Sequence, residues 1–433
     1  MVPFTKHSIG LDISDTSVEA LELSGVGRSR RVVAFSRNEL APGIVQGGRV
    51  VDSARLTSAL ATVVAAAKPG KFSTHDVVLA LPESQTFTHI FQLPAVLTAA
   101  SVGESVQYAA EETIPLPFDQ TYHDYEVLSR GETVQQVLYV ASSKVVVDGY
   151  CAAAAAAGLR IGAVEPASLS LARALVPPTA PALVVDIGTR VTTASLYDQY
   201  SLHYSRSIEF GGDVLAEQVA AAAKIDHAAA TVYLRSVGLP GAPEVGSTPV
   251  DISHLLQPLV DLIERARQYH RTRAGTDIPA VVLCGGASLL PGLPALLTRQ
   301  LGTEVRLGNP LADIRAAADT FGTQPAILFA TVIGAASRGT DGSFANRGVN
   351  YLAHASDHRR FTATRDVSVP ASVPAREQRL STRLSRRSTV LVSVFICLVV
   401  VFAVVLLLQL GRSEPLIQLP HSDYPAGPVP YGQ

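Results

Sequence analysis

The chain alternates short apolar runs with polar turns, and two of these runs end in the same way. Residues 9–23 read IGLDISDTSVEALEL: an apolar run ending at Asp12, a turn of small hydroxyl residues, then a second apolar run. Residues 183–198 repeat the pattern as LVVDIGTRVTTASLYD, with Asp186 closing the first run. Each predicts a buried strand, a tight turn and a returning strand. Residues 280–292, AVVLCGGASLLPG, predict a buried strand that opens into Gly285 and Gly286 and then a helix. An Asp at such a turn, with backbone N–H groups around it, can hold a metal-bound phosphate. Two such hairpins followed by a Gly-Gly turn predict a duplicated α/β fold with a nucleotide cleft between its halves.

The remaining pattern fills in two halves. An Ala- and Leu-rich stretch at 53–67 predicts a helix, and 77–83 a buried strand stopped by a Pro. Residues 98–112 predict a helix broken by Pro115 and Pro117. Residues 123–143 predict two strands around an Arg-Gly-Glu turn, and 145–158 a helix closed by Gly158. A Pro-rich linker at 177–181 opens the second half. There, strands are expected at about 183–210, and helices at about 213–223, 227–237, 250–272, 289–301 and 325–337.

Composition adds three things. Hydrophobic residues make up 47 % of 433 residues, enough for two lobes with their own cores. A formal net charge of −2 excludes a global basic field for nucleic acid. Cys151, Cys284 and Cys397 are far apart, so they form neither a metal spacing nor a disulfide framework. The N-terminal MVPFTKHSIG carries no signal-peptide pattern.

The C-terminal part changes character. From about 346 to 387 the chain turns to Ser, Arg, Pro and His without periodicity, which predicts a disordered tether. Residues 390–408 are apolar except for Ser393, and as a helix they would be about 28 Å long, the thickness of a hydrocarbon core. Arg376, Arg379, Arg383, Arg386 and Arg387 precede this run, and Arg412 alone follows it closely. The expectation is therefore one transmembrane helix at 388–410 in the inner (cytoplasmic) membrane. The body lies in the cytoplasm and the 411–433 tail outside.

These residues resemble the actin-like ATPases and, more closely, the PilM family of type IV pilus assembly. The closer likeness rests on ALPESQTFTHIFQLP, VQYAAEETIPLPFDQTYHDYEVL, AAAGLRIGAVEPASLSLARAL, RSIEFGGDVLAEQVA and a closing IGAASRG. The resemblance implies a two-lobed actin-like (ribonuclease H-like, duplicated) fold, with lobes at 1–180 and 181–345. It also implies an inserted subdomain at about 86–140 of the kind shared with FtsA. RGVNYLA, at 347–353, resembles the short Ile-Asn-Leu-Leu-Pro-type segment of PilN, a membrane partner of PilM. It therefore suggests such a segment carried in cis. The implied partners are a PilN-like inner-membrane protein or its segment, the membrane, and further copies of the chain. Nucleic acid is not among them.

The resemblance also assigns a site for ATP and Mg²⁺. Asp12 and Asp186 would hold Mg²⁺ through water, and Ser14, Asp15, Thr16, Gly188, Thr189 and Arg190 would line the phosphates. Gly211 and Gly212 would let backbone approach the nucleotide. Gly285, Gly286 and Ser288 would form the adenosine side, and Glu165 would orient a water for hydrolysis. The chain departs from the pattern at Ser14, where a Gly is usual, and at Glu19, where a Lys is usual. A Glu there opposes phosphate charge. Thr231 and Leu234 stand where a Glu and a Lys often touch ribose and adenine. The expected activity is therefore weak binding with slow or absent hydrolysis. Two competing readings are an FtsA-like division protein and a small-molecule kinase of the sugar-kinase branch.

Overall fold

In the computed structural model, each Asp-ended run seeds a five-stranded sheet, and the two sheets have the same topology. The structure describes residues 7–353 except 178, 199–200, 240–252, 317–319 and 341–347. β1 (His7–Ile13) turns back into β2 (Ser17–Ser24), and β2 into β3 (Arg31–Glu39). A small hairpin of β4 (Val45–Gln46) and β5 (Arg49–Val50) leads to α1 (Ser53–Ala65). Asp52 caps α1 by accepting from the Arg55 N–H at 2.9 Å. β6 (Asp76–Leu81) then joins β1 in parallel.

An insertion follows. Its strands β7 (Phe87–Pro94), β8 (Thr121–Arg130) and β9 (Val134–Ser143) form a separate sheet in the order β7-β9-β8. Between β7 and β8, α2 (Ala99–Thr113) covers that sheet with Val102, Val106 and Ala110, which are fully buried. The spacing of four residues puts them on one face of the helix. α3 (Lys144–Ala156) leads back to β10 (Arg160–Pro166), which lies parallel to β6 and completes the first sheet. α4 (Ala167–Leu175) carries the chain on to the second sheet.

The second sheet repeats the first. β11 (Ala182–Ile187), β12 (Thr192–Asp198) and β13 (Ser201–Ile208) form the antiparallel meander. Helices α5 (Gly212–Ala223), α6 (His227–Val237) and α7 (Gln257–Ala274) follow. β14 (Ala280–Cys284), α8 (Leu293–Leu301) and β15 (Glu304–Leu307) add the two parallel strands. The core of this half lies between β11, β14 and the helices, with Leu183, Val185, Ile263 and Leu283 at its centre. Helix α7 begins at Gln257, later than the 250–272 pattern suggests. A short 3₁₀ turn, Ser253–Leu256, precedes it, and Pro258 sits in its first turn, where a missing N–H is harmless.

Two expectations need correction. α9 (Ala330–Thr340) was assigned by sequence to the second lobe, but it packs on β1, β2, β6 and α4 of the first. With α1 on the other side, it buries β2 at all eight positions, Glu19 and Glu22 included. Residues 348–353, which the expected tether includes and the PilN-like resemblance singles out, are docked on the first lobe, where Val349, Tyr351 and Leu352 join its core. No helix among the described residues is long and apolar enough to cross a membrane. The expected span at 388–410, the rest of the tether and the tail lie outside the described residues.

Candidate functional site

The two Asp-ended hairpins and the Gly-Gly turn converge on one cavity of about 760 Å³ between the sheets. Asp12, Ser14, Asp15 and Thr16 line it from the first hairpin. Asp186, Gly188, Thr189 and Arg190 line it from the second. Gly212, Gly285 and Gly286 complete that side, with Thr231, Leu234 and Arg235 of α6.

Local chemistry fixes both turns. The Ser14 hydroxyl accepts from the N–H of Thr16 at 3.3 Å and of Ser17 at 3.0 Å, so the side chain itself shapes the first turn. In the second, Gly188 N–H donates to Val191 O at 3.0 Å, and Gly212 N–H donates to Gly188 O at 3.1 Å. Gly211 does not line the cavity. It packs under the second hairpin, where a Cβ would stand 2.4 Å from Thr189 O and 2.6 Å from Gly188 O. Gly285 has φ +80°, and a Cβ there would meet Asp186 Oδ1 at 2.3 Å. Ser288 is fully buried and points back to Gly285 O at 2.7 Å, so it holds the Gly-Gly turn from behind.

The hairpins touch across the cleft. The Thr16 and Thr189 hydroxyls are 3.2 Å apart, and Arg190 Nη1 lies 3.4 Å from Asp15 Oδ2. Asp15 also accepts from the N–H groups of Gly47 and Gly48 at 2.7 and 2.8 Å. Glu83, a cavity residue that the sequence did not single out, accepts from Ser205 of the second sheet at 2.9 Å.

Acidic groups crowd the floor. Burial, with Glu19 and Asp186 beside it, raises Asp12 well above the ordinary carboxylate range. Burial pushes Asp186 up to about 6, against a hydrogen bond with Cys284 that lowers it. Glu19 is raised by burial and held down by Arg37, whose Nε donates to it at 2.7 Å. Arg37 thus opposes, in part, the repulsion expected from Glu19. The two residues are paired in register across β2 and β3, a contact that only strand pairing reveals. Among the described residues, no group of three or more His, Cys, Asp or Glu could hold a metal alone. Two crowded carboxylates do fit a Mg²⁺ that brings its own water and phosphate oxygens.

Glu165, expected to orient a water, lies outside the cavity lining and is fully buried. One carboxylate oxygen accepts from Arg173 and from Ser170 Oγ, the other from Arg338. Both oxygens are thus engaged by arginines.

A family model described as type IV pilus assembly protein PilM matches residues 10–336. The chain belongs to the PilM family. A solved PilM-PilN type IV pilus biogenesis complex contains a chain 25 % identical, with a TM-score of 0.65. That match covers 78 % of this chain and 99 % of the other. The fold is thus the actin-like fold of the PilM family, with mixed α/β sheets, and the chain is a PilM-type protein of type IV pilus assembly. The ethanolamine utilization protein EutJ from Carboxydothermus hydrogenoformans matches at 16 % identity and a TM-score of 0.46, over 77 % of this chain and 90 % of its own. MreB5 of Spiroplasma citri bound to ADP matches at 12 % and 0.44, over 77 % and 95 %.

Proposed function

We propose that this PilM-family chain is a membrane-tethered actin-like scaffold that binds ATP with Mg²⁺ in its cleft and turns it over slowly or not at all. The observation that carries the reading is the cavity itself. It is bounded by two Asp-ended hairpins on sheets of identical topology and by the Gly285–Gly286 turn. Backbone N–H groups at both turns and the Arg190 guanidinium would meet phosphate oxygens. Asp12 and Asp186 would hold the Mg²⁺ through water, and the cation would neutralise phosphate charge there. Thr231 and Leu234 offer a hydroxyl and an apolar surface to the nucleoside, where ionic partners are usual in the family. Low turnover is supported by Glu165, which is committed to Arg173 and Arg338, and by Glu83, which is held by Ser205 and the Ser168 N–H.

The partner in this reading is a PilN-like inner-membrane protein, in line with the complex in which the similar chain was solved. The apolar run at 390–408 would cross the membrane once, with the body in the cytoplasm. Calorimetry on the full chain in detergent micelles tests the nucleotide part. ATP with Mg²⁺ should give saturable heat, and chelating the Mg²⁺ should weaken binding by about tenfold or more. A folded protein that gives no heat at millimolar ATP would remove nucleotide from the reading. A reporter fused after Gln433 should be active outside the cytoplasm. Activity only inside would remove the single span.

A further inference from the structure

The tip of the first hairpin is engaged in internal contacts. Gly47 and Gly48 form the two-residue turn between β4 and β5, with φ +56° and +76°, a conformation that favours glycine. Their carbonyls are held by other groups. Gln85 Nε2 donates to Gly47 O at 2.7 Å, and the buried Tyr150 hydroxyl donates to Gly48 O at 2.8 Å. The two N–H groups are thereby fixed as a pair of donors at the cavity lining. Successive N–H groups of this kind make a concave anion site. The anion they meet is the Asp15 carboxylate, one oxygen on each N–H, at 2.7 and 2.8 Å. Asp15 Oδ2 also lies 3.4 Å from Arg190 Nη1 of the second hairpin, and the neighbouring Thr16 and Thr189 hydroxyls are in contact. Arg190 is shared, since its Nε lies 3.4 Å from Asp213.

We propose that Asp15 is a specificity-determining residue, an internal counterpart of a terminal phosphate, through which the cleft selects a nucleoside diphosphate over the triphosphate. This rests on the nucleotide reading above. In that reading the nucleoside lies toward Thr231, Leu234 and the Gly285–Gly286 turn, and the phosphates run toward the hairpin tips. A diphosphate stops one phosphate earlier than a triphosphate. The last phosphate of a triphosphate arrives where Asp15 already occupies two N–H donors and the Arg190 guanidinium, and where Thr16 meets Thr189. Two carboxylates, Asp15 and Asp213, share one guanidinium there, so a further anion meets both like charge and engaged donors. To bind, the triphosphate displaces Asp15, takes Arg190 from it and parts the hairpins.

Calorimetry on the full chain in detergent micelles compares ADP and ATP, each with Mg²⁺. Wild type is expected to bind ADP more tightly than ATP. Asp15→Asn should tighten ATP by about tenfold and ADP by much less, so the preference shrinks by about the same factor. Asp15→Ser, which also removes the reach to Gly47 and Gly48, should act in the same direction. The ratio is the readout because a general loosening of the fold would move both affinities together. A second measurement uses no nucleotide. In a Thr16→Cys/Thr189→Cys double variant, mild oxidant should join the hairpin tips, and adding Asp15→Asn should slow the cross-linking several-fold. The proposal fails, with nucleotide binding intact, if ATP binds wild type as tightly as ADP or if neither substitution at Asp15 changes the ratio. It also fails if cross-linking is as fast without the carboxylate, because Asp15 then does not hold the tips together. If neither nucleotide gives heat with any of these proteins, the nucleotide reading itself falls, and this preference with it.

Discussion

Gly334→Ala lowers the stability of the body by about 3 kcal/mol or more, and Gly10→Ala does the same. A Cβ on Gly334 would stand 1.8 Å from the Ser170 carbonyl oxygen of α4. A Cβ on Gly10 would stand 1.9 Å from Val332 O and 2.8 Å from Ala336 N, both on α9. In each case the obstacle is backbone in a packed helix, which cannot rotate aside as a side chain does. Relief requires α9 to lift from the first sheet. That would expose Val332, Ile333, Ala335 and Ala336, which are at most 1 % accessible. The control is Gly286→Ala, where a Cβ meets nothing within 4 Å. Urea unfolding of the three variants decides it. If Gly334→Ala melts with the wild type, α9 does not pack as described.

Changes at Asp186 should move binding and stability in opposite directions. Asp186→Ala removes a carboxylate from the Mg²⁺ side of the cleft and should weaken ATP·Mg²⁺ binding by about tenfold to a hundredfold. The isosteric Asp186→Asn should weaken binding too, yet stabilise the empty protein at neutral pH. The carboxyl is raised from 3.8 to about 6 in the folded protein. The folded state therefore holds this proton more tightly than the unfolded state does. The associated stability is fully present below about pH 4 and is lost as pH rises through 6. At pH 7.5 the ionised group costs about 3 kcal/mol, which the Asn variant recovers, and near pH 3.5 the two proteins should be equally stable. Urea melts at both pH values, with calorimetry at the higher one, test both signs. A variant that binds like wild type and melts like wild type would take Asp186 out of the cleft.

The hairpins were readable because a buried strand that ends in Asp leaves a period-2 pattern and an abrupt change of polarity. The duplication of the sheets followed from seeing that pattern twice. The host of α9 was not readable. Its apolar face states that the helix is covered and does not state by which sheet, and the decisive residue, Gly10, lies more than three hundred positions away. The burial of Glu165 was hidden for a similar reason. A carboxylate beside a Pro at a strand end looks the same in sequence whether it faces a cleft or two arginines. One of those arginines, Arg338, is 173 positions distant. Arg37 was hidden by strand register, and residues 348–353 are too short for any periodicity to declare them buried.

The placement of α9 and the docked segment sets a force path. Any load carried by the chain beyond Ala353 enters the molecule through the first sheet, by way of the segment and the helix wedged against Gly10. Helix α9 has no strand of the second sheet among its main packing partners. The segment and the helix would bear tension while the second sheet stays unloaded. If the cleft binds nucleotide as proposed, it could open and close without working against the anchor.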